Sequence, residues 1–122
     1  MREIVCMLLI PLAACSTSVQ PPAWSADELG AIRITDRASF PDAQRLAVDK
    51  IIAALAQSGE VPSEFYAVVQ TRAADQVAVF HLWHSSAFLP ENRGVVGNPG
   101  GKCRDIEYDL VGQQVSRTLW WQ

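Results

Sequence analysis

FPDAQRLAVDKIIAALAQ, residues 40–57, is the stretch from which the fold can be read. Ala43, Leu46, Ala47, Ile51, Ala54 and Leu55 recur at helical spacing, while Asp42, Arg45, Asp49 and Gln57 fall away from them, so one side of a helix is apolar. Ser39 is placed to cap its start, Pro41 and Asp42 suit a first turn, and Gly59 followed by Pro62 ends it. Val48 and Ile52 widen the apolar stripe. That width predicts a helix lying across a sheet rather than standing free.

The sheet is expected downstream. Phe65 to Thr71 (FYAVVQT) and Gln76 to Ser85 (QVAVFHLWHS) are rich in β-branched and aromatic residues, and Arg72 to Asp75 makes a short connection, so the pair reads as a hairpin. Cys103 to Leu110 and Val115 to Trp121 form a second, turning through residues 111–114. On its first strand Ile106, Tyr108 and Leu110 share one face. On its second the core-facing row is expected to be Val115, Leu119 and Trp121, interrupted by Arg117. Upstream, Ser25 and Glu28 have capping-box spacing and Ala31 to Thr35 alternates, giving a helical turn and a short extended segment on either side of Gly30. The fold class is therefore α+β, with one main helix packed on a four-stranded antiparallel sheet in two layers. The element order and the spacing of Asp109, Gly112 and Val115 are similar to cystatin-like and PepSY-like small periplasmic domains. That similarity is topological and implies no functional residues.

At the amino terminus, Arg2 precedes an apolar run from Ile4 to Leu12, about nine residues and well short of the roughly twenty needed to span a bilayer. The run closes in Leu12-Ala13-Ala14-Cys15. This motif resembles the lipobox of bacterial lipoproteins. The resemblance implies cleavage before Cys15, lipidation of its sulfur and amino group, and a membrane partner through the resulting acyl chains. Three chains at about 0.8 kcal/mol per buried methylene make a lasting anchor. Residues 1–14 are then the signal peptide and residues 15–24 the lipidated cysteine with its tether. The tether holds Ser16 to Ala23, polar and Pro-containing, which at roughly 3.1 Å per residue reach about 25 Å. Residues 25–122 are one domain. Ser16, in the place where Asp would signal retention, implies the outer membrane facing the periplasm for a Gram-negative source.

The net charge is −3 and no basic patch dominates, which argues against nucleic acid. Of the three cysteines, Cys6 leaves with the signal and Cys15 takes lipid, so Cys103 is the thiol of the domain and is expected to be buried. His81 and His84 have the spacing of metal ligands on a helix. On a strand they point to opposite faces, so neither a metal nor a cofactor is implied. A nucleophile–base pair of Cys103 with either histidine would need contacts that sequence does not supply.

Asp105, Glu107 and Asp109 alternate with the apolar row of their strand and share its outer face, with no basic residue among them. Trp120, alternating with Leu119 and Trp121, is expected to stand outward beside them as an interface anchor. These four residues form the candidate surface for a protein partner. The functional expectation is a non-enzymatic, lipid-anchored binding protein, in one form an inhibitor or immunity protein against a basic, cell-wall-directed toxin. A structural or assembly lipoprotein is the alternative. A small-ligand binder or enzyme using the Pro- and Gly-rich loop from Ser86 to Lys102 is the third.

Overall fold

The computed structural model describes residues 25–92 and 97–122; the expected signal peptide, lipidation at Cys15 and tether lie outside the described residues. The described residues open with α1 (Ala26–Leu29), where the Ser25 hydroxyl accepts from the Glu28 N–H and Gly30, at φ 69°, ends the turn. Strand β1 (Ile32–Arg33) follows, then the main helix α2 (Asp42–Gln57). Two antiparallel hairpins complete the domain, β2 (Phe65–Arg72) with β3 (Val77–His84), and β4 (Arg104–Asp109) with β5 (Gln114–Trp120). The described sheet has five strands in sequence order, with β1 adding two residues against Tyr66 and Ala67. Four strands were expected. The segment predicted as merely extended is short, but it pairs.

One core fills the space between α2 and the sheet. Ile34, Phe40, Ala47, Val48, Ile51 and Leu55 pack from one side against Phe65, Ala67, Ala78, Phe80, Leu82, Ile106 and Tyr108 from the other. Pro41 occupies the N-cap of α2, with no side-chain cap; Ser39 instead donates to Asp36 within a preceding 3-10 turn. The buried face is also turned relative to the sequence reading. Val48 is fully buried, whereas Ala43, Leu46 and Ala54 face water, Leu46 at 42% exposure. Every position from Leu46 to Ala56 outside Asp49 and Lys50 is apolar, so periodicity leaves the rotation of α2 open. Contact with Phe80 and its neighbours decides it. At the other end Gly59, at φ 80°, closes a Schellman turn in which Glu60 N–H bonds Leu55 O at 3.0 Å.

The second hairpin departs from the expected alternation at one point. Glu107 faces Arg117 and Tyr108 faces Val115, so a β-bulge leaves Ser116 extra. A one-residue slip moves every later side chain to the other face. Val115 stays on the helix side with Tyr108, but Arg117, Leu119 and Trp121 belong to the helix-free side, and Thr118 and Trp120 to the helix side. The expected core-facing row of Val115, Leu119 and Trp121 is thereby corrected. Arg117, odd on a core row, was its trace in the sequence.

Candidate functional site

The bulge separates the two halves of the surface expected from sequence. Asp105, Glu107 and Asp109 do share the helix-free face, but Trp120 is on the opposite one. Trp120 is the strand partner of Arg104, and the Arg104 guanidinium lies 4.0 Å from its ring centroid. Phe65 flanks the same guanidinium at 5.1 Å, and Glu60 accepts from both Nη atoms at 3.2 and 2.6 Å. Trp120 is thus half exposed and half spent on covering a buried ion pair.

Nor is the acidic row uncompensated. Glu107 is only 8% exposed, because Arg117 donates to it at 3.0 Å and Arg72 reaches it from β2 at 3.5 Å. The Arg117 hydrogen bond holds the Glu107 carboxyl below the usual carboxylate range despite its burial. Asp105 Oδ1 accepts from the Trp121 indole N–H at 2.8 Å and lies 2.8 Å from His81 Nδ1, which therefore carries the proton it donates. Asp109 accepts from the Val111 N–H and shapes the β4–β5 turn. Arg72 on β2 and Arg117 on β5 supply the positive charge that the outer row of β4 lacks.

What the helix-free face does present is aromatic. Trp83 and Trp121 meet edge to face at 4.6 Å and 86°, Phe88 stacks on Trp83 at 5.9 Å, and Tyr66 meets Phe88 at 5.6 Å. Trp83 reaches this face because it alternates with the buried Leu82 on β3. Trp121 needed the bulge, and Phe88 comes from the 3-10 turn Ser85–Phe88, so the long loop begins by folding onto the sheet. Beside the cluster lies a groove of about 260 Å³, with Leu29 of α1 as one lip, the two indoles as the other, and Val68 and His81 as its floor.

His84 belongs to the other face, as the strand period requires. Its Nδ1 accepts from the Ser86 hydroxyl at 2.7 Å and the Ser86 N–H at 3.1 Å, and its Nε2–H donates to Glu64 at 3.0 Å. Serine, histidine and carboxylate in that order have the connectivity of an activated nucleophile, which sequence spacing did not reveal. The geometry is that of a cap. The lone pair is already engaged by the backbone of Ser86 itself, and Gly100 roofs the hydroxyl so closely that a Cβ there would stand 2.1 Å from Oγ. Cys103 is fully buried, and burial pushes its thiol pKa up, the reverse of what a nucleophile needs. Among the described residues no cluster of three or more His, Cys, Asp or Glu could hold a metal ion.

Fold and surface together define a small two-layer α+β domain with one sheet face left to aromatic side chains. No protein-family model, curated protein or solved structure matches the chain.

Proposed function

We propose that the chain is a non-enzymatic binding protein, lipid-anchored in the cell envelope through Cys15, which receives a protein partner on the helix-free face of its sheet. The observation that carries this is the cluster of Tyr66, Trp83, Phe88 and Trp121 beside the Leu29 groove. Four large aromatics, each only partly buried on a face that α1 and the Ser85–Phe88 turn cover in part, forgo some of the stabilisation that full burial would give them, and aromatic side chains at preformed grooves are the commonest anchors of protein interfaces. The loop that begins at Ser86 contributes Phe88 to the same surface, so loop and sheet act as one site. An inhibitor or immunity protein is one form of such a binder. Asp105 and Glu107 already have partners within the sheet, so recognition is expected to rest on the aromatic patch more than on the acidic row.

The test is recovery of the partner from envelope extract on the full-length chain, followed by binding kinetics on the recovered protein. Trp83→Ala and Trp121→Ala should each weaken binding by roughly thirtyfold, about 2 kcal/mol, mainly through faster dissociation. Substitution of Glu91, exposed on the loop, should leave binding unchanged. Wild-type rates for both tryptophan variants would remove this face from the site.

A further inference from the structure

Strand β5 is exposed along its whole length, the last in a sheet whose order leaves its second edge without a neighbour among the described residues. The identity of the groups on that edge follows from one hydrogen bond. Trp121 N–H bonds Cys103 O at 3.3 Å, and in an antiparallel ladder the hydrogen-bonded pairs recur at every second residue. Leu119 and Arg117 therefore turn their backbone groups toward β4, while Thr118 and Trp120 turn their N–H and C=O groups outward. Proteins usually blunt such an edge with proline, lysine or a short strand. Here the strand runs seven residues, its only charge is Arg117, already bonded to Glu107, and Val115, Leu119 and Trp120 are 40 to 50% exposed.

We propose that β5 is a self-association edge, where a second copy of this chain pairs antiparallel and joins the two sheets into one. A two-fold axis between the copies makes some residue face itself, and the outward backbone groups select Thr118 near the middle of the exposed strand. The Thr118 register is self-complementary. It sets Arg117 opposite Leu119 of the second copy, and Trp120 opposite its Ser116 at the bulge, where a small side chain leaves room for the indole. A register centred on Arg117 would oppose two like charges. Pairing of β5 with the other sheet edge, head to tail, is hindered because β1 occupies Tyr66 and Ala67 there. The isologous contact closes on itself as a dimer, whereas the heterologous one would propagate. Each dimer would carry two copies of the aromatic face on one side of a continuous sheet.

Sedimentation of the full-length chain in detergent, from about 1 µM to about 1 mM, should show a concentration-dependent dimer. Thr118→Pro deletes an outward N–H, which an edge strand tolerates, so it should weaken dimerisation at least about tenfold while circular dichroism stays native. If that variant fails to fold, cysteine crosslinking decides independently. A hydrogen-bonded pair places its Cα atoms about 5.5 Å apart, within disulfide range, so Thr118→Cys should form a crosslinked dimer under mild oxidation. Arg117→Cys and the unsubstituted chain should not. A monomer across the whole range, or equal crosslinking at positions 117 and 118, overturns the proposal.

Discussion

Cys103, just ahead of β4, and Tyr108, within it, have their side chains shut away from water, and both lose the solvent that would stabilise their anions. Burial raises the thiol of Cys103 more than the His84 backbone and Arg104 lower it. Burial, with the Asp109 charge adding to it, raises the phenol of Tyr108. In an unfolded chain these groups ionise near about 8.5 and 10. Between those values and the raised folded ones, the unfolded chain releases protons that the folded one keeps, so the folded state loses ground. Their contribution is complete below about pH 8.5 and falls as pH rises beyond it. Urea midpoints at steps from neutral to strongly alkaline pH should fall, and Tyr108→Phe should flatten the upper part of the fall. The Tyr108 hydroxyl has no hydrogen-bond partner among the described residues, so that substitution should cost nothing at neutral pH. A flat midpoint across the range would contradict the burial of both groups. Glu107 acts at the other end: its lowered pKa contributes stability above about pH 4.3 that is lost as pH falls through the folded value.

At the scale of the elements, the rotation of α2 has a direct consequence. Ile51 is fully buried between helix and sheet, and Leu46 is 42% exposed, although both lie in one apolar run. Ile51→Asp should abolish cooperative melting, since an unpaired buried charge costs several kcal/mol against a total of roughly 5–15. Leu46→Asp should lower stability by about 1 kcal/mol or less and leave the fold intact. Equal effects in thermal melts would mean that the helix is turned the other way. The bounds of α2 and of both hairpins were legible because Gly59, Pro62 and the β-branched runs act locally. The helix rotation and the bulge were not, because both are settled by contacts across the sheet. A bulge shifts register by one residue without changing strand propensity, and the sequence around Ser116 suits either alternation. Its effect on the site was large. It exchanged the roles of two adjacent tryptophans, sending Trp120 over Arg104 and Trp121 to Asp105. The compensation of the acidic row was hidden for the same reason, since Arg72, Arg117 and His81 meet β4 only once the strands are in register.

Across the whole molecule, the two faces of the sheet carry different kinds of order. One is an apolar core with the Glu60–Arg104 pair at its margin. The other is a surface where His81, Asp105 and the Trp121 indole fix one another while Trp83 and Trp121 stay partly exposed. The Trp83–Trp121 contact, rings crossed at 86° and 4.6 Å apart, also gives this face an optical signature. Two chromophores held that close at a fixed skew share their ultraviolet excitations, and the shared states absorb left- and right-handed light unequally as a pair of bands of opposite sign. The couplet belongs to the pair, so Trp83→Phe and Trp121→Phe should each abolish the whole of it, while Trp120→Phe spares it. Anything that wedges between the two indoles would dim the same bands, which makes the folded chain its own spectroscopic indicator of occupancy.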